Sequence, residues 1–266
     1  MSTKTAKQVK VVDSIPGVKA LLDILATINI SPAPLDAPCL YFDVEGTNLG
    51  RNGTIAIISL FVLPNASTYI IDIYTLGSAA FTTKGRREYT LRSILESPNI
   101  SKVFFDVRND SDALFRLFGI SLAGVQDLQL MELAANIDSL YPRRYVSGLS
   151  KCIEKDLSAT QELKGEWLKA KAVHLAELWK VYATKICKPG ESGFWRYMVR
   201  KSTMERVELS QSETYNSQER ENAKGPWDYE EVDRELDDWN DDVMMLGVND
   251  TGTLKELSFG IFQWVW

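Results

Sequence analysis

At 266 residues, 45% hydrophobic and 25% charged, the chain has ordinary globular make-up, with length enough for one well-cored domain plus appendages. No run approaches the ~18 to 20 consecutive apolar residues that would span a bilayer, which argues against a membrane partner, and the polar, lysine-containing first ten residues lead into no apolar stretch of the secretory-leader kind. The formal net charge of -6 is unevenly spread: residues 227–242 hold nine acidic side chains against one basic, Arg234, so the part ahead of them is mildly basic. Such a balance suits a phosphate-bearing partner but is also common in proteins that meet none.

A helix is expected over residues 18–28, followed by a Ser31-Pro-Ala-Pro34 linker. Residues 39–46 read as a strand closed by a glycine, 54–63 as an apolar strand stopped by Pro64, and 68–74 as a third. The short connections predict an antiparallel meander. Helix is expected over 89–95, then a short strand over 102–105 and a helix bearing Leu114, Phe115, Leu117 and Phe118, closed by Gly119. A strand over 125–128 leads into a helix reaching residue 137, and helical stretches are expected over 146–157, 161–172 and 174–186. Three strands followed by alternating helix and strand predict an α/β fold, a mixed sheet flanked by helices. Cys39, Cys152 and Cys187 fit neither a zinc site nor a disulfide framework, so a reducing intracellular compartment, cytoplasmic or nuclear, is expected.

The sharpest chemical feature is Asp43-Val44-Glu45. Alternation along a strand projects the two carboxylates from one face, roughly 6.5 to 7 Å apart along the chain, while Leu40, Phe42 and Val44 turn into core. Two carboxylates among apolar neighbours repel unless a cation lies between them, and hard divalent ions prefer such oxygen ligands. A solvated strand end would account for the same short pattern. Further on, Asp106-Val-Arg-Asn-Asp110-Ser-Asp112 follows the strand at 102–105. There Asp110 and Asp112 have a plain alternative as charges favoured at a helix N-terminus.

Taken in order, Tyr-Phe-Asp43-Val-Glu45-Gly, the apolar strand after it, and Lys102-Val-Phe-Phe-Asp-Val-Arg-Asn-Asp110-Ser-Asp-Ala-Leu114 resemble the first two motifs of the 3'→5' exonucleases of the DEDD (DnaQ-like) superfamily. The likeness is to the RNase D-related branch with its EXD-like and Egalitarian-like domains. Val125-Gln-Asp127-Leu-Gln129 and Ser147-Gly-Leu-Ser-Lys-Cys-Ile153 resemble later segments of those domains. The resemblance implies an RNase H-like fold with an exonuclease-like domain over 38–187, preceded by a helix and linker over 1–37. A helical extension over 188–226 and an acidic tail over 227–266 would follow. It implies that Asp43, Glu45 and Asp110 hold two Mg²⁺ or Mn²⁺ ions for in-line phosphodiester hydrolysis at the 3' end of single-stranded RNA or DNA. Arg108, Arg143 and Arg144, like Arg86 and Arg87, become candidates for backbone phosphates, each with a solvated surface role as the alternative.

The pattern breaks at the third motif, where the family places a Tyr or His a few residues ahead of a final Asp. The run over 167–179 holds no such pairing: 161–172 resembles residues upstream of that Asp and 174–182 residues downstream, as though a piece were missing near Val173. His174, the single histidine, is read as a helix-surface residue, with water orientation as the alternative, and Glu177 as a lesser substitute ligand. Two readings stand: a metal-dependent exonuclease impaired in this chain, or a non-catalytic nucleic-acid-binding or scaffold protein on an exonuclease fold.

Overall fold

The computed structural model describes residues 8–28, 37–137, 144–157, 167–186 and 192–245. Its centre is a six-stranded mixed sheet in the order β1-β4-β3-β2-β5-β6, formed by β1 (Gln8–Val12), β2 (Leu40–Glu45), β3 (Ile57–Val62), β4 (Ser67–Asp72), β5 (Lys102–Phe104) and β6 (Val125–Asp127). The expected meander is β2-β3-β4, antiparallel throughout, with Asp43 opposite Ser59 and Glu45 opposite Ile57. β5 joins β2 in parallel, and β6 joins β5 in parallel.

Strand alternation sorts the core into two layers. Leu40, Phe42 and Val44 of β2 pack with Ile58, Leu60 and Val62 against α1 (Ile15–Thr27), α3 (Ala79–Thr82), α4 (Leu91–Leu95) and α5 (Arg108–Phe118). Phe42 stacks on Phe104 with ring centroids 5.4 Å apart. On the other face Tyr41, Phe61 and Val103 meet α6 (Leu128–Ala135), α7 (Leu149–Asp156), α8 (Trp167–Ile186) and α9 (Ser192–Gln211). The short α2 (Ile73–Leu76) starts on Asp72, whose side chain accepts from the Thr75 N–H, ending β4 two residues before the expected limit.

Three expectations change. The strand β1, read in sequence only as a polar end, adds itself to the sheet edge beside β4 and buries Val12. Its five residues, largely exposed, carry too weak an alternation to stand out. Helix is continuous across residues 172–174, since α8 runs through them; residues 161–166 lie outside the described residues. Within the regions expected as an extension and a tail, the two described helices also pack on the body, while residues 188–191 and 246–266 lie outside the described residues. α9 places Arg206 and Met198 in the interior, and α10 (Tyr229–Met245) buries Val232 while Glu235 accepts from Tyr197 and Lys201. An acidic helix that buries one apolar stripe reads as a tail when only its charge is counted.

Candidate active site

The site forms where the C-terminal end of β2 meets the start of α5. Gly46, directly after β2, is needed for the close approach: a Cβ there would lie 1.7 Å from the Thr54 carbonyl oxygen. On the neighbouring strand the chain leaves β5 through Asp106, held in the left-handed region at φ 55°. The buried Asp127 carboxylate at the end of β6 fixes this turn by accepting from the N–H groups of Asp106 at 2.9 Å and Gln129 at 3.0 Å. Arg206 of α9 completes that carboxylate's partners, donating through Nη1 at 2.7 Å. The fixed turn aims the first turn of α5, with Asp110, at the end of β2.

Asp43, Glu45 and Asp110 are thereby gathered into one electrostatic cluster. Burial pushes the Asp110 carboxyl well above its ordinary range, and the nearby charges of Asp43, Asp106, Glu45 and Asp127 push it further. Burial likewise raises Asp43, opposed by the Lys171 charge and reinforced by Glu45. One oxygen of Asp43, Oδ2, is buried with no hydrogen-bond partner.

The side chain that α8 delivers to these carboxylates is a lysine. Lys171 Nζ is ion-paired and hydrogen-bonded to Glu45 Oε1 and lies 3.9 Å from Asp43 Oδ2. Burial works against its charge, but the hydrogen bond to Glu45 and the fields of Asp43, Glu45 and Asp110 outweigh it and hold the ammonium above its usual range. Sequence reasoning passed over Lys171 because lysine is neither a metal ligand nor part of the motif sought there. Only the opposing charge in the field of two acidic motifs would have marked it.

The donor set has the chemistry of a hard-ion site, yet its placement does not fit one. Among the described residues no three His, Cys, Asp or Glu groups are arranged to share an ion. The ammonium of Lys171 lies against the very oxygens that would bind it.

The remaining expected residues divide. Arg108 is buried, donating to both oxygens of Asp106 at 2.6 and 2.8 Å and to the Asn222 carbonyl at 2.8 Å. That clamp holds its guanidinium between Asp106 and Asn222. Arg143 lies outside the described residues. Arg144 is exposed, stacked on Tyr145 at 5.6 Å, on the rim of a cleft of about 540 Å³ shared with Lys224, Trp227 and Tyr229. Arg86 is exposed and paired with Asp23. Asp112, read as a helix-end charge, is instead buried and bound by Arg51 through its backbone N–H at 2.7 Å and Nε at 3.0 Å. His174 is not on the surface: the packing of α8 on the sheet buries it, with Nδ1 3.1 Å from Glu177 Oε2.

The mixed sheet with helices on both faces is the RNase H-like α/β fold of RNase D-type nucleases. Residues 22–185 match the 3'-5' exonuclease family, and the chain belongs to it. The chain is 38% identical over 88 residues to piRNA biogenesis protein EXD1 of Mus musculus and, over the same length, to that of Homo sapiens. That match takes in 33% of this chain but only 14% and 16% of those proteins. Among solved structures, Trypanosoma brucei RNase D in complex with RNA U12 aligns with a TM-score of 0.62 at 17% identity, over 86% of this chain and 79% of that one. The catalytic core of RRP6 from the same organism aligns with a TM-score of 0.50 at 14% identity, over 80% of this chain and 54% of that one. At these identities the likeness is one of fold. Among the described residues no helix is long and apolar enough to cross a membrane.

Proposed function

We propose that this chain is a nucleic-acid-binding member of the 3'-5' exonuclease family whose two-metal hydrolysis is severely impaired. The observation that carries the proposal is the state of the carboxylate cluster: Asp43, Glu45 and Asp110 converge, but no three acidic groups among the described residues are set to share an ion. Loss of one anionic ligand and of the residue that orients water each costs on the order of 10² to 10⁴-fold in rate. The ligand class is the 3' end of a single-stranded RNA or DNA. The RNA held by the RNase D relative, and the piRNA-related name of the EXD1 proteins, favour RNA. Mg²⁺ or Mn²⁺ would be the family's ion, held weakly here.

The test pairs binding with cleavage. Fluorescence anisotropy with a single-stranded oligonucleotide should give saturable binding, while 5'- and 3'-labelled oligonucleotides with Mg²⁺ or Mn²⁺ should stay intact or shorten very slowly. An Asp43→Ala variant is the control. Robust, Asp43-dependent shortening from the 3' end would overturn the impairment, and absence of oligonucleotide binding would overturn the function. A scaffold role without nucleic acid would then be the remaining reading, with α9 and α10 packed on the body as its framework.

A further inference from the structure

We infer that Lys171 is a resident counter-ion: its ammonium takes the place between Asp43 and Glu45 that a divalent cation would need, and keeps the site metal-poor by competition. The inference rests on the proposed impairment and gives it a physical cause that lies in a residue present rather than in one absent.

Two facts place the ammonium. It pairs directly with Glu45 Oε1, and it faces Asp43 Oδ2 at 3.9 Å, the same oxygen that is buried without a hydrogen-bond partner. Lys171 is itself mostly sheltered, with 18% of its side chain exposed, matching the 18% of Asp43. A pair so shielded from water and salt interacts far more strongly than an exposed one. The anchoring is also favourable in position, because α8 is packed along β2 and β3 by Val173, Leu175 and Leu178. The lysine thus reaches the carboxylates from a fixed helix, at an effective concentration no dissolved ion matches. A metal ion entering here must displace the ammonium and shed its own tightly held water, and Mg²⁺ gives up water reluctantly. Nothing on this account needs the carboxylates to be defective as ligands; Asp43 and Glu45 already share a cation.

The experiment measures metal binding and does not use nucleic acid. Mn²⁺ is titrated into the full chain by calorimetry and by paramagnetic resonance, for the wild type, Lys171→Met, Lys171→Arg, Asp43→Asn and Lys171→Met combined with Asp43→Asn. The wild type and Lys171→Arg should bind Mn²⁺ at least tenfold more weakly than Lys171→Met, and the added Asp43→Asn should abolish the gain. Lys171→Met should melt below the wild type without metal, from unrelieved carboxylate repulsion, and Mn²⁺ should raise its melting temperature more than it raises that of the wild type. Tight wild-type binding that Asp43→Asn removes would overturn the inference even if Lys171→Met does not fold. A folded Lys171→Met with unchanged Mn²⁺ affinity would overturn it too. Oligonucleotide binding by the wild type is a separate readout, so loss of the functional proposal and loss of this one are told apart.

Discussion

Arg206 and Asp127, 79 positions apart, form a buried ion pair in which Arg206 Nη1 donates to Asp127 Oδ2 at 2.7 Å. The same guanidinium reaches the Gln129 side-chain oxygen at 3.0 Å. The pair joins α9 to the end of β6, and through Asp127 to the turn that aims Asp110. Removing one member of a buried pair strands the other charge, which typically costs about 3–5 kcal/mol. Here the backbone donors to Asp127 soften that loss, so Arg206→Met should lower unfolding stability by about 2–4 kcal/mol in urea titration. Combining it with Asp127→Asn should cost less than the two single changes added together. Additive costs would show that the two residues do not act as a unit.

That contact also shows where the sequence could be read and where it could not. The meander and the β5–α5 unit are encoded locally, by alternation and glycine stops, and each needs only a few consecutive residues to be recognised. The convergence of Asp43 with Asp110 is not local and is legible only through the resemblance in motif order. Arg206, Arg51 and Lys171 are different: each finds its acidic partner 60 or more positions away, at |i−j| of 79, 61 and 126. No periodicity announces such a pairing. Counted as charges these residues belong on a surface, and only the fold shows that α8 and α9 turn them inward. The same limit hid the interior position of His174, because one side of α8 faces the sheet and a single polar residue does not break its apolar pattern.

Stability should depend on pH through Asp43. Its folded-state value is raised from 3.8 to about 7, by burial first and with Glu45 adding to it while Lys171 opposes; Asp110 also faces the cluster. A raised carboxyl contributes stability that is fully present below its unfolded value and is lost as pH rises through the folded one. The wild type should therefore weaken between about pH 4 and pH 8. Asp43→Asn, neutral at every pH, should escape this part of the loss and exceed the wild type at pH 8 by on the order of 2 kcal/mol. At pH 4.5 the advantage should shrink. Urea midpoints of both proteins across that range decide it, and a gap that does not grow with pH would refute the assignment.

Lys102 presents a fully buried ammonium of a different kind. Its Nζ donates to the carbonyls of Ile94 at 2.9 Å, Ser97 at 2.8 Å and Ile100 at 2.6 Å, tying the end of α4 and the following loop to β5. Burial draws its ionisation down to about 7, while three acceptors need the three donors that only the protonated form has. Lys102→Met keeps the apolar stem but leaves those carbonyls without this donor, at a cost of about 2–4 kcal/mol. Oligonucleotide affinity of the folded protein should be unchanged, since the lysine stands at the start of β5 and the carboxylates beyond its end. A stability change below about 0.5 kcal/mol would mean that water replaces the ammonium freely.

The surface that meets nucleic acid should include the cleft beside Arg144. Its rim combines the exposed Arg144, the half-exposed ring of Tyr229 and the neighbouring Tyr145, a mixture of cation and aromatic faces suited to phosphate contact and base stacking. The two chemistries separate by salt. An arginine on a phosphate releases counter-ions, so Arg144→Ala should weaken oligonucleotide binding severalfold at low salt and reduce the slope of log affinity against log salt by about 0.7 to 1. A stacking tyrosine contributes roughly 1–3 kcal/mol per base with little salt dependence, so Tyr229→Ala should weaken binding by a similar factor at every salt concentration and leave the slope alone. Both truncations spare the wall of the cleft, because the Arg144 carbonyl accepts from the Gly225 N–H at 2.8 Å whatever the side chain. Fluorescence anisotropy of the three proteins between low and moderate salt is the measurement. Unchanged affinity and slope in both variants would move the binding surface away from this cleft.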